Sequence, residues 1–197
     1  ADFSRSALKR LGAAGNVQFS GNGITLSTPA LLSADGGRSW STQGRSSIRR
    51  SVTASGKQKA EAYALDADNL LYDTETEQAA ARGNVQGSFE RMGEDKVTVS
   101  AQQAELNLKT SELRVSDELS ASVGALTLSC GSLSANLDAG KLSASGMVRL
   151  SESELGIDVR ADSVDVNTKT RELAASGSVA LEDSQRGVSI SAGRLEG

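Results

Sequence analysis

The chain has 197 residues, 38% hydrophobic but only 3% aromatic, with a net charge of −4 and no histidine. This length suits one domain or one continuous array, lined by Val, Leu, Ile and Ala, and the commonest general base and metal ligand is missing. A single cysteine, Cys130, excludes an internal disulfide and a Cys/His zinc site; the lack of a basic stripe interleaved with aromatics argues against nucleic acid.

The first predicted element is a half unit, in which Leu11, Ala13, Gly15, Val17 and Phe19 alternate with their neighbours as a one-sided strand does. From Ile24 onward one spacing repeats five times. Counted from the first residue of each copy, apolar or small residues fall at offsets 0, 2, 4, 7 and 9, and after a polar turn at 16, 18, 20, 22 and 24. The copy at Ile24 is degraded by Thr28, Ser33, Thr42 and Ser46, and also carries Leu26, Leu31, Trp40, Gly44 and Ile48. The copy at Tyr63 follows with Leu65, Ala67, Leu70 and Tyr72, then Ala79, Ala81, Gly83, Val85 and Gly87. The copy at Val97 has Val99, Ala101, Ala104 and Leu106, then Leu113, Val115, Asp117, Leu119 and Ala121. The copy at Leu126 has Leu128, Cys130, Leu133 and Ala135, then Leu142, Ala144, Gly146, Val148 and Leu150. The clearest copy, at Ile157, has Val159, Ala161, Val164 and Val166, then Leu173, Ala175, Gly177, Val179 and Leu181. Val188, Ile190, Ala192 and Leu195 form a closing half unit within residues 188–197.

Alternation with a period of two predicts strands with one apolar face. The step from offset 4 to offset 7 breaks that parity, so a bend or bulge belongs there. The glycine at offset 20 marks a second bend on the returning strand while keeping the alternation. The fold class is therefore all-β: stacked bent antiparallel hairpins, solenoid-like, about five and a half repeats in a single array over residues 1–197. Polar turns such as Asp73-Thr74-Glu75-Thr76, Lys109-Thr110-Ser111-Glu112, Asp138-Ala139-Gly140-Lys141 and Thr168-Lys169-Thr170-Arg171 join the strands. Residues 49–62 and 88–96 read as the long projecting loops. The first holds a mild basic cluster of Arg49, Arg50, Lys57 and Lys59. A solvated loop is its default reading, and contact with anionic headgroups the alternative. Cys130 falls at an inward position and reads as a small buried thiol.

No phosphate loop, dinucleotide fingerprint or acidic calcium-binding nonapeptide occurs. Asp66, Asp68, Asp158, Asp162 and Asp165 fall at turns or outward strand positions, where acids are solvated. The chain reads as no enzyme, with no catalytic residue, no metal and no cofactor. Without a run of 18 apolar residues it is not expected to span a membrane, and any membrane link would be indirect or through an anchor removed beforehand.

The motif of apolar-x-apolar-x-Ala-x-x-apolar-x-apolar, a polar turn, and Leu-x-Ala-x-Gly-x-Val-x-Leu, clearest in Ile157–Leu181, resembles the OstA-like family of lipopolysaccharide transport proteins. The family includes LptA, LptC and the N-terminal domain of LptD, and the regular array here is most like LptA. The resemblance covers residues 11 to 195; Asp117 in place of glycine, the degraded first copy and the long 49–62 connection depart from it. It implies an open β-jelly roll, or β-taco, in the periplasm of a Gram-negative type cell envelope. It also implies that lipopolysaccharide or a related lipid rides in the apolar groove, and that copies or other Lpt proteins join edge to edge into a bridge. The groove residues would then be Val99, Leu106, Leu113, Val115, Leu119, Leu126, Leu128, Leu133, Leu142, Val148, Ile157, Val159, Val164, Val166, Leu173 and Val179. Leu11, Ala13, Val17, Val188, Ile190 and Ala192 would serve edge assembly. Two alternatives stand beside this reading: a structural or adhesive β-solenoid with a sealed core, and a scaffold that assembles by its ends without carrying lipid.

Overall fold

The period-two alternation becomes strand wherever it occurs, and strands of this pattern can bury their apolar face only against one another. The computed structural model describes residues 10–21, 24–52, 60–93, 95–136, 138–167, 169–170 and 172–196. The strands are β1 (Arg10–Gly21), β2 (Ile24–Ala34), β3 (Ser39–Gln43), β4 (Ser46–Val52), β5 (Glu61–Ala67), β6 (Asn69–Asp73) and β7 (Gln78–Arg91). They continue as β8 (Val97–Asn107), β9 (Glu112–Val123), β10 (Leu126–Asn136), β11 (Lys141–Glu152), β12 (Ile157–Asn167), β13 (Glu172–Asp183) and β14 (Val188–Glu196). All 14 belong to one antiparallel sheet. From β7 to β14 each strand pairs with the next in sequence. Nearer the start, β3 and β4 together do the work of one bent strand beside β2, and β6 and β5 pair with them in turn. The result is a ladder of bent rungs, a jelly-roll-like solenoid of stacked hairpins.

Every rung breaks register at its middle, where the offset spacing places the bend. Between β11 and β12 the pairing passes from Ser145–Ser163 directly to Val148–Ala161. Gly146 and Met147 thus stand opposite Asp162 alone, a two-against-one bulge that bends both strands. The same device uses Gly83-Asn84 opposite Gln102 and Asp117-Glu118 opposite Gly131. Both residues of these pairs have positive φ, from 47° to 83°. This region costs glycine little and other residues more.

The glycine does not keep the inward alternation that the spacing suggested. A Cβ on Gly177 would strike the exposed carboxylate side chain of Asp162, so the glycine faces the outer side of the crease. The extra residue in the bulge shifts its parity. At Gly146 the added atom would lie 3.2 Å from Gly131 Cα, backbone against backbone.

The turns close the rungs in the same repeated way. Asp73, Asn107, Asn136 and Asn167 each end an outgoing strand. Each accepts backbone N–H bonds from the turn that follows, as in Thr76 N to Asp73 Oδ1 at 2.8 Å and Ala139 N to Asn136 Oδ1 at 2.7 Å. Turns also stack on turns: Thr74 N donates to Arg38 O at 2.9 Å, Leu108 N to Glu77 O at 3.0 Å, and Ser184 N to Gly156 O at 2.9 Å. Thr168 and Arg171 of the predicted turn lie outside the described residues.

The two long loops are shorter than the spacing suggested. Arg49–Val52 and Glu61–Ala62 are strand, paired Arg50 to Tyr63 and Val52 to Glu61, and β7 runs on to Arg91. The polar side chains there hid a continuing backbone ladder. Of the basic cluster, Arg49 is already bonded through one nitrogen to both oxygens of Asp66, at 2.9 and 2.8 Å. Lys57 and Lys59, with the rest of 53–59 and Glu94, lie outside the described residues.

Candidate functional site: an apolar groove between two limbs

Each bent rung has two limbs, and the inward positions of successive rungs line up in columns along the array. At the crease stand Thr28, Ser46, Ala67, Val85, Ala101, Leu119, Cys130, Val148, Ala161 and Val179, all buried. On one limb the next column out runs Leu26, Ile48, Leu65, Gly87, Val99, Ala121, Leu128, Leu150, Val159 and Leu181. On the other limb Val115, Ala144 and Ala175 are buried beside half-buried Ala104, Leu133 and Val164. The limbs face each other: Val99, Ala121 and Leu128 of one and Leu113, Leu133 and Val164 of the other pack on the same buried cluster of Ala101, Val115, Leu119, Cys130, Ala144 and Val148.

On one limb exposure rises from crease to lip. Leu119 and Val148 are 2% exposed, whereas Tyr63 and Val123 at the lip of one limb are 39% exposed. The interior is therefore sealed along the crease and open along the opposite side. Burial pushes the Cys130 thiol pKa up, as expected of a thiol that packs rather than reacts.

All sixteen groove residues chosen from sequence sit on the inward face, in two classes. Val115, Leu119, Val148 and Val179 are core side chains. Val99, Leu106, Leu113, Leu126, Leu128, Leu133, Leu142, Ile157, Val159, Val164, Val166 and Leu173 are half-buried. Leu11, Ala13 and Val17 lie on β1, and Val188, Ile190 and Ala192 on β14. Among the described residues β1 pairs only with β2 and β14 only with β13. Leu11, Val188 and Ile190 are exposed.

Apolar space also lies among the early copies. A cavity of about 320 Å³ lies between Leu26, Leu31, Trp40, Ile48, Leu65, Leu70 and Tyr72, extending to Leu106 and Leu113. A second, of about 300 Å³, shares Ile48 and Leu65 and continues past Tyr63, Gly87, Phe89, Val97 and Val99. The residues from the first two copies were missed although they fill the same offsets, because their hydroxyl-bearing neighbours made those copies look degenerate. Larger concavities, about 800 and 980 Å³, mix polar and inward residues of one limb: Arg82, Glu105 and Arg114 with Trp40, Tyr72 and Leu106 in one, and Ser134, Ser143 and Asp165 with Leu113, Leu142, Val166 and Leu173 in the other. In the second, Leu113, Ala135, Leu142, Val166 and Leu173 are successive cross-strand neighbours, so an apolar row runs along it.

The first unit lines its crease with hydroxyls that satisfy one another. Ser46 Oγ lies 2.8 Å from Thr28 Oγ1 and 2.7 Å from Gly44 O. Thr42 Oγ1 accepts Leu70 N at 2.8 Å. That bond caps the break between β5 and β6, where a backbone donor would otherwise be buried alone.

The outer face is polar and cross-linked. Asp158 accepts from Arg149 Nε at 2.7 Å and Arg160 Nε at 2.9 Å, and Ser163 and Ser176 hydroxyls pair at 2.8 Å. Among the described residues no group of three or more Cys, Asp or Glu is placed to hold a metal ion. No family model matches this sequence, and no curated protein matches it.

Proposed function

We propose that this protein carries lipid acyl chains in the groove between its limbs and belongs functionally with the OstA-like lipopolysaccharide transport proteins, LptA above all. The observation that carries the reading is the half-buried aliphatic lining, open along one side. Each methylene moved from water into such a lining is stabilised by about 0.8 kcal/mol, so ten sheltered methylenes contribute roughly 8 kcal/mol. The twelve half-buried groove residues carry no polar group, so a chain is held without a fixed register and can slide. The cargo is lipopolysaccharide or a related lipid, and the compartment is the periplasm of a Gram-negative type envelope. Copies, or other Lpt proteins, join through the edges of β1 and β14 into a bridge between inner and outer membrane. No catalytic step is part of this role.

A photo-crosslinking residue at Leu113, Leu128 or Val159 is expected to capture lipopolysaccharide in cells, whereas one at outward Arg160 is not. Absence of adducts at all three inner positions overturns the carrier role and leaves a sealed structural or adhesive solenoid. Deleting residues 188–197 is expected to abolish end-to-end oligomers. A chain that still loses lipid-free oligomers on that deletion, but captures no lipid, is a scaffold only.

A further inference from the structure

We infer that the groove has a side pocket at Gly87 that takes a single alkyl chain ending in an anionic group, with Arg50 as the anion contact. The inference rests on the groove reading above. Gly87 lies within β7, and a glycine inside a strand weakens it unless something requires the missing side chain. At the bends the requirement is backbone conformation, as Gly83 and Gly146 show with φ of 73° and 83°. Gly87 is not among the positive-φ residues. A Cβ there would meet only Val99 Cβ at 3.9 Å and Ala64 O at 4.0 Å, ordinary contact distances. Neither torsion nor crowding calls for glycine. The side chain is missing from a column that otherwise holds Leu65 on one side and Val99 on the other, and the space left is the 300 Å³ pocket. That volume is at the small end of ligand pockets, suited to one chain.

The rim supplies the charge. The lip column reads Ile24, Arg50, Tyr63, Phe89, Val97, Val123. Arg50 takes an inward apolar position in it, with its guanidinium carbon 5.9 Å from the centre of the Tyr63 ring. Tyr63 in turn packs on Phe89, ring centres 4.8 Å apart. The two acids in the same column, Glu152 and Asp183, are explained by the turns whose N–H groups they accept. Among the described residues Arg50 caps no turn and no carboxylate forms an ion pair with it. A cation over an aromatic shelf at the mouth of an apolar pocket matches an anionic head above an alkyl tail.

The test is competition by dodecanoate, and by uncharged dodecan-1-ol, against a fluorescent fatty acid bound to the delipidated full chain. Gly87→Leu fills the pocket and is expected to weaken both probes by about tenfold. Gly87→Ala, which fits the space, is the folding control, with an unchanged melting temperature. Arg50→Gln is expected to weaken dodecanoate by about fivefold and leave dodecan-1-ol unchanged. Binding to the native chain that Gly87→Leu leaves intact overturns the pocket but not the groove. Dodecanoate affinity unchanged in Arg50→Gln overturns the anionic assignment. Failure of the native chain to bind either probe overturns the groove reading itself.

Discussion

The early rungs, β1 to β7, and the later ones, β8 to β14, follow one spacing and yet build different interiors. In the later rungs each strand is continuous, bends through a bulge, and fills its crease with Leu119, Cys130, Val148 and Val179. In the early rungs two strands are interrupted, at Gly44-Arg45 and at Asp68, and the first crease holds Thr28, Thr42 and Ser46. Aliphatic creases close by packing. Hydroxyl creases close by pairing, with apolar cavities farther out, one bordered by Trp40 and Tyr72 and one by Tyr63. The backbone bend is thus indifferent to what fills it, provided the polar groups at the crease itself find partners, as Thr28 and Ser46 do.

The largest expected effect is in the later rungs. Val148→Ala should cost about 2–4 kcal/mol, since a packed crease cannot collapse onto the void. Thr28→Ala, in the early rungs, should cost about 1–2 kcal/mol, because the hydroxyl's bonds to Ala30 O and with Ser46 Oγ are lost but little volume is. Equal losses in chemical denaturation would remove the distinction between packed and paired creases.

The bulge itself can be tested within the later rungs, where one copy carries glycine and another aspartate. Gly146→Ala should cost about 1–3 kcal/mol, from positive φ and the close Gly131 backbone. Asp117→Gly should stay within about 1 kcal/mol of the native chain: relief at φ 64° offsets loss of the Gln103 bond. A destabilised Asp117→Gly would mean that the carboxylate, not the backbone, holds that bend.

Thr42→Val keeps shape and removes the acceptor for Leu70 N. The buried donor left behind should cost about 1–3 kcal/mol, read as faster amide exchange at Leu70. Unchanged exchange there would show that the β5–β6 break does not depend on the hydroxyl.

The smallest effect concerns pH. Asp73 and Asp183 are held below the ordinary carboxylate range, first by backbone N–H bonds from Thr76 and from Arg186 respectively. A depressed folded pKa contributes stability above the unfolded value and loses it as pH falls through the folded value. Three of the intervening turns use Asn107, Asn136 and Asn167, which do not titrate in this range. Acidification should therefore speed amide exchange in turns 74–77 and 184–187 before those turns. Uniform loosening of all turns would refute the assignment.

The turns were legible because Asp and Asn at strand ends have one dominant local role. The bends were legible because a step of three in a period-two pattern has no straight solution. Glycine parity was misread, since a bulge adds a residue without leaving a trace in the spacing. Arg49 and Arg50 were read as loop because charge masks a strand whose value lies in its backbone pairing. Leu26, Leu31, Ile48 and Leu65 fill the same offsets in the early copies and line an inner cavity there, but hydroxyl neighbours such as Thr28 and Ser46 hid the pattern.

What the sequence alone determined is parity: which side chains face in, where each rung bends, and where it turns. Those properties depend on neighbours within a few positions along the chain. Only the tertiary structure decided which inward residues are sealed and which remain half-open. That depends on how far each column stands from the crease, and on the side chains stacked above and below it in neighbouring rungs. Val148 and Leu128 look alike in the repeat; one is core and the other faces the opening because the two limbs meet at one and not at the other.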